Sequence, residues 1–138
     1  MKEYDEWQEL FPLLKSVYKK MKIEWHKGTD CSFSMNQTRM ILYLNNQSPM
    51  MSTELAELLF ITAGGVTLMA DKLIDRGLIS RIRGEADRRV VYLAITDEGK
   101  KYIDAFIKND AAIIRYMNER ISTEDLMQLR RIFTLLND

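Results

Sequence analysis

Cysteine occurs once in the 138 residues, and so does histidine. A lone cysteine excludes an internal disulfide framework and makes a reducing cytoplasm the default compartment. His26 and Cys31 together do not complete a closed zinc site, and their spacing does not define a catalytic dyad. No metal, no cofactor and no enzymatic activity is therefore expected. Long hydrophobic runs are missing too. None approaches the ~20 residues of a membrane span, and MKEYDEWQEL is no signal peptide, so no membrane partner is expected. Excess charge of either sign is also absent: 20 Lys and Arg stand against 20 Asp and Glu. That balance at first argues against a nucleic-acid partner, but the distribution matters more. Lys2 faces Glu3, Asp5, Glu6 and Glu9, whereas Arg81, Arg83, Arg88 and Arg89 face only Glu85 and Asp87. A local arginine cluster leaves an electrostatic footprint on a neutral chain.

What is present is an ordinary globular composition, 46% hydrophobic and 29% charged, without repeats. Trp7, Leu10, Phe11, Leu14, Val17, Tyr18, Met21 and Trp25 recur at helical spacing, with Pro12 kinking that helix or sitting in its first turn. Lys15, Lys19 and Lys22 lie opposite this stripe and read as a solvated face. MNQTRMILYL is helical, and NNQSP is turn chemistry. Ser52 is expected to cap a short helix, and Thr62 the next, whose inner face is Val66, Met69, Ala70 and Leu73. Gly77 ends that helix. LISRIR and RVVYLAI around GEAD read as a β-hairpin. Thr96 then caps one long helix through Met117, and Ser122 to Asp125 form a capping box before the last. The expected fold is mainly α with a small β-hairpin wing. A winged helix-turn-helix lobe over 34–99 is joined by dimerisation helices over 1–33 and 100–138. The terminal helices are too apolar to stand alone and call for each other or a second chain.

ELAELLFITAGGVTLMADKLIDRGLISRIR followed by ADRRVVYLAITDEG resembles the MarR family of bacterial regulators. The matching residues are Leu55-Ala56, Val66-Thr67, Leu73, Gly77-Leu78-Ile79, Arg81, Asp87-x-Arg89 and Thr96-x-x-Gly99, with Gln37 early in the second helix. The resemblance implies a homodimeric, sequence-specific DNA-binding transcriptional regulator, a repressor or an activator released from DNA by a small phenolic ligand or an oxidant, and of the two a repressor is expected. The helix from about Thr62 to Arg76 would enter the major groove, and the wing over 82–91 the adjacent minor groove. Two recognition helices roughly 34–36 Å apart favour a near-palindromic operator. The alternative is a winged-helix protein-interaction module that binds no DNA.

In this reading Thr62, Ala63, Gly64, Gly65, Thr67, Leu68 and Lys72 face DNA from the helix, and Arg83, Arg88 and Arg89 from the wing. Asp87 pairs with an arginine and fixes the wing's shape. Which of Arg88 and Arg89 inserts stays open, and a merely solvated hairpin face is the bland alternative. Bidentate base readout needs Arg, Lys, Asn or Gln, and none stands in the first turn and a half of the recognition helix. Methyl contacts to thymine from Ala63, Thr67 or Leu68 remain, Thr67 and Lys72 can serve phosphates, and Asp71 can brace a neighbouring cation. Gly64-Gly65 fits neither a Walker loop nor a dinucleotide fingerprint. The pair either lets the backbone approach a duplex or tolerates crowding beside the preceding helix. Met21, Trp25, Met35 and Tyr43, with Arg39 for an anionic group, are the candidate contacts of an apolar effector; ordinary core is the alternative. Cys31 is the candidate redox residue, and an unreactive small side chain is the alternative.

Overall fold

A computed structural model describes residues 2–28 and 32–138. The chain divides into two compact units, Asp30–Ile107 and a second formed by Met1–Thr29 with Lys108–Asp138.

In the first unit α2 (Met35–Asn46) opens with a reciprocal cap. Ser34 Oγ accepts from the Gln37 N–H at 3.1 Å, and Gln37 Oε1 accepts from the Ser34 N–H at 2.9 Å. The early glutamine of the family pattern is therefore half of a helix cap. A two-residue strand, β1 (Met50–Met51), precedes α3 (Ser52–Leu59). Because Met51 stays extended in that strand it is itself the N-cap, without a side-chain bond, and Ser52 is not the expected cap but the first helical residue.

After α4 (Ala63–Asp75) come β2 (Ile79–Arg83) and β3 (Val91–Ile95). The expected hairpin is a three-stranded antiparallel sheet in the order β1-β3-β2, with Arg81 opposite Leu93 and Met50 opposite Leu93 from the other side. The core is a single cluster in which Met40, Ile41 and Leu44 of α2 pack with Leu55, Val66, Leu73, Ile79, Leu93 and Phe106. Each such side chain contributes roughly 1.5–3 kcal/mol by leaving water. Phe33 sits edge-on to Tyr102 and Phe106, centroids 5.2 Å away in each case.

Thr96 does cap a helix, but a short one, α5 (Asp97–Lys100). The bonds Lys101 N–H to Glu98 O and Tyr102 N–H to Gly99 O reach back three residues rather than four and interrupt the expected long helix before α6 (Ile103–Asn118). The joint is tied by Thr96: its hydroxyl donates to Gly77 O at 2.6 Å and accepts from the Gly99 N–H at 3.1 Å. Gly99 is buried with its α-carbon against the Leu78 carbonyl, which explains Thr96-x-x-Gly99 as a packing motif.

The second unit holds α1 (Lys2–His26), the later part of α6 and α7 (Thr123–Asn137). Pro12 lies in the interior of α1, not in its first turn. Trp25 is buried and its Nε1–H donates to Asp110 Oδ1 at 3.3 Å, fastening α1 to α6. The Ser122–Asp125 capping box is present in both directions. The stripe of α1 is bare: Trp7, Leu10, Phe11, Leu14, Val17 and Tyr18 are each more than 40% exposed. No residue of α7 is buried, and Leu126, Met127, Ile132, Phe133, Leu135 and Leu136 stand in solvent. Among the described residues no single helix is long and apolar enough to cross a membrane.

Candidate nucleic-acid interface

The interface is built on the turn between α3 and α4, whose axes differ by 105°. Helix–turn–helix units cross at about 90–120°. Phe60 makes the turn: at φ 55 and ψ 42 it is left-handed, and the Ile61 N–H closes on Ala56 O at 3.1 Å. The residue is 93% exposed, an unusual place for a phenylalanine and one that its spacing did not announce. Thr62 then caps α4, its Oγ1 accepting from the Gly65 N–H at 3.0 Å. The other end closes in a Schellman motif, with Gly77 at φ 75, Gly77 N–H to Ile74 O at 2.8 Å and Leu78 N–H to Leu73 O at 3.0 Å. Arg76 fixes this end further, its guanidinium 4.0 Å from the Phe33 ring centre and donating to Ser32.

Helical phase settles which side chains face out. Val66, Ala70 and Leu73 are buried in the core. Thr62, Ala63, Gly64, Thr67, Leu68 and Lys72 are exposed and Gly65 half-exposed, so the seven expected helix positions share one accessible face. Leu68 is 68% exposed, a large apolar side chain left on the outside. The Thr67 hydroxyl donates back to Ala63 O at 3.2 Å, which turns its role toward the methyl group and away from donating to a phosphate. A methyl group built at Gly64 meets only Thr62 Oγ1, at 3.9 Å. At Gly65 the nearest atoms are Thr62 Oγ1 at 3.3 Å and the Ile61 side chain at 3.6 Å, both in the turn. Neither contact comes from α3, so crowding beside the preceding helix does not account for the pair.

The wing loop joins Arg83 to Val91. Gly84 is required by space, since a β-carbon there would lie 2.7 Å from Asp87 O, across a loop closed by Gly84 N–H to Val90 O at 2.9 Å. Asp87 braces Arg89: Oδ1 accepts from Nε at 3.1 Å and from the backbone N–H at 3.0 Å, and Oδ2 accepts from Nη2 at 3.1 Å. The Arg89 guanidinium and then its backbone N–H hold the Asp87 carboxyl below its ordinary value of 3.8. The fork engages one edge of the guanidinium and leaves Nη1 facing solvent, with the side chain 91% exposed. Arg83 Nη1 donates to the Arg88 carbonyl at 3.2 Å. Among the described residues the Arg88 side chain has no hydrogen bond or ion pair. The question of brace and free cation is thus divided: Asp87 holds Arg89, and Arg88 is unheld.

One pairing was only generally foreseen. Asp71 does brace a cation, and that cation is Arg81 of β2, with Nη2 to Oδ1 at 2.6 Å. Of the effector candidates, Met21 and Trp25 belong to one unit and Met35, Arg39 and Tyr43 to the other. Trp25 is buried, and the other four are half-buried. Cys31 lies outside the described residues.

Residues 33–91 match the MarR family model. The chain is 33% identical over 94 residues to the uncharacterized HTH-type transcriptional regulator YpoP of Bacillus subtilis, covering 68% of this chain and 67% of that protein. It is 32% identical over 97 residues to the HTH-type transcriptional repressor MdtR of the same organism, covering 70% of this chain and 62% of that one. The match thus spans about two thirds of each relative's length. Among solved structures, a MarR mutant from E. coli complexed with operator DNA superposes with a TM-score of 0.86 at 16% identity, covering 96% of each chain. That likeness shows the shared fold.

Proposed function

The chain belongs to the MarR family of HTH-type transcriptional regulators, and from that premise we propose that it acts as a cytoplasmic homodimer on a near-palindromic operator. The observation that carries the DNA reading is the pairing, in one unit, of an outward helix face with a wing whose guanidiniums are exposed. Arg89 is pre-positioned by Asp87, and a narrow A·T-rich minor groove attracts such a cation. Arg88 is free to reach a phosphate beside it. On α4 the apolar groups of Ala63, Thr67 and Leu68 suit thymine methyls, and Lys72 suits a phosphate. Readout by hydrogen bonds from this helix is sparse, so shape and methyl contacts carry much of the specificity. The bare stripes of α1 and α7 support dimerisation, because apolar faces of that size are covered in solution.

The test is a gel shift in a salt series, using a duplex that the wild-type chain enriches from a randomised pool. Replacing Arg88 and Arg89 together by alanine weakens binding well over tenfold, at ~1–3 kcal/mol per good contact. Full affinity in that double variant sinks the wing assignment, and failure of the wild type to enrich any duplex favours a protein-interaction module.

The proposal extends to repression relieved by a small apolar anion or an oxidant. Taken unit by unit, its candidate contacts are Met21 and Trp25 in one, and Met35 and Tyr43 with the cation Arg39 in the other, and Cys31 is the candidate thiol. A phenolic acid or a hydroperoxide added to the gel shift tests each arm. If neither releases the duplex, the effector assignment fails and the DNA assignment stands.

A further inference from the structure

A cleft of about 330 Å³ opens between α4 and the sheet, with polar lining from Ser52, Thr67, Asp71, Arg81 and Arg83. Arg81 and Arg83 sit on the same face of β2, since alternate residues of a strand share a face, and they stand opposite Leu93 and Val91 of β3. Asp71 enters from α4, one helical turn beyond Thr67, and closes on Arg81 at 2.6 Å. The charge inside the cleft is two guanidiniums against one carboxylate, which suits one further anion. Both partners of the pair are partly exposed, 37% for Arg81 and 52% for Asp71, so the contact is open to competition at the protein surface.

Resting on the DNA reading above, we propose that Asp71 is a specificity-determining residue that makes the phosphate contact of Arg81 conditional on full seating of α4 in the major groove. The duplex phosphate is the occupant of the cleft. A guanidinium carries five donors in a planar fork, so Arg81 can keep Asp71 on one edge and take a phosphate on another. Asp71 therefore aims Arg81 without consuming it. On a poorly fitting duplex the backbone stays at the mouth of the cleft, where Asp71 offsets the charge of Arg81. On a fitting duplex the phosphate passes Asp71 and meets both Arg81 and Arg83, with the Ser52 hydroxyl as a further donor. The carboxylate thus penalises loose complexes more than seated ones, and it does so through Arg81, whose charge it offsets until the phosphate is seated.

The experiment compares the duplex enriched by the wild-type chain with a shuffled duplex of the same length and composition. Asp71→Asn tightens binding to the shuffled duplex about fivefold or more and to the enriched duplex about twofold at most, so the ratio between them falls. In an Arg81→Gln background the same change leaves the ratio where Arg81→Gln alone puts it. Arg81→Gln by itself lowers the salt slope on the enriched duplex by about 0.9, the share of one phosphate contact. Equal tightening on both duplexes overturns the proposal, because it shows simple relief of repulsion. So does an unchanged ratio in Asp71→Asn, or a fall that persists without Arg81. Asp71→Ser serves where Asp71→Asn does not fold, as judged by circular dichroism. If the wild type enriches no duplex, the DNA reading itself fails and takes this proposal with it.

Discussion

Replacing Gly99 by alanine puts a methyl group inside the contact distance of the Leu78 carbonyl oxygen and 2.9 Å from Ile95 Cγ1. The carbonyl cannot step aside easily, because it accepts from the Thr96 N–H at 3.1 Å. Forced separation therefore strains the bonds that join β3, α5 and the end of α4: Thr96 N–H to Leu78 O, Thr96 Oγ1–H to Gly77 O and Gly99 N–H to Thr96 Oγ1. Overpacking costs about 1–3 kcal/mol, and each weakened hydrogen bond about 0.5–1.5 kcal/mol more. A loss of roughly 3 kcal/mol is expected, which for a chain of this size lowers the melting temperature by about 6–12 °C. Urea unfolding followed by circular dichroism measures it, at one fixed chain concentration because subunit association enters the apparent stability. Gly64→Ala is the matched control, its new methyl meeting nothing nearer than 3.9 Å and gaining helix propensity. A Gly99→Ala variant within about 0.5 kcal/mol of wild type would refute the close-approach account of Thr96-x-x-Gly99.

Phe60→Gly removes a left-handed cost of roughly 1 kcal/mol while burying nothing less, so the urea midpoint rises; a lower midpoint would mean the ring packs on something. Leu14→Asp in α1 and Leu136→Asp in α7 each set a charge in a bare apolar stripe, and sedimentation velocity then shows monomer where the wild type shows dimer. Unchanged dimers in both variants would move the interface elsewhere. For the wing, the folded-state value of the Asp87 carboxyl is depressed, so its brace on Arg89 is complete above the ordinary carboxylate value of 3.8 and is lost as pH falls through the lowered one. An NMR titration should hold the Arg89 Nε–H resonance constant from neutral pH down to that range and move it only below.

The parts of the fold that rest on period and local chemistry were readable from residues alone. Eight apolar residues at helical spacing announce α1, and Thr62 and Ser122 announce caps because a cap needs only its own three following residues. The two residues of β1 carry no period, so nothing marked the third strand, and its presence in turn moved the α3 cap back to Met51. The break between α5 and α6 is silent for a related reason: three-residue bonds keep Tyr102, Ile103, Phe106 and Ile107 in an unbroken-looking stripe. In the wing, Asp87-x-Arg89 is a local motif and its pairing could be anticipated. The division of labour between Arg88 and Arg89 depends on which guanidinium the carboxylate reaches, and only geometry supplies that. Asp71 and Arg81 lie on different elements, so their partnership follows from how α4 meets β2 rather than from spacing.

ITAGGVT raises the sharper question of why a helix should begin with two of its least favourable residues, each roughly 0.8–1 kcal/mol worse than alanine in a helix interior. A conformational reason is missing, since neither Gly64 nor Gly65 has a positive φ. A packing reason is missing at Gly64, where a methyl group would sit in open space, and slight at Gly65, where the neighbours belong to the same turn. Nothing within the described residues therefore demands glycine at 64. What remains is the outside: a first turn without side chains lets the backbone of α4 approach a groove more closely than serine or arginine there would allow. In the proposed complex the same closeness would bring the backbone phosphates to the mouth of the cleft that Arg81 and Arg83 line. On the proposed reading, a helix that reads little by its own side chains owes its selectivity to how deeply it seats, and the Asp71–Arg81 pair would stand where seating depth is felt.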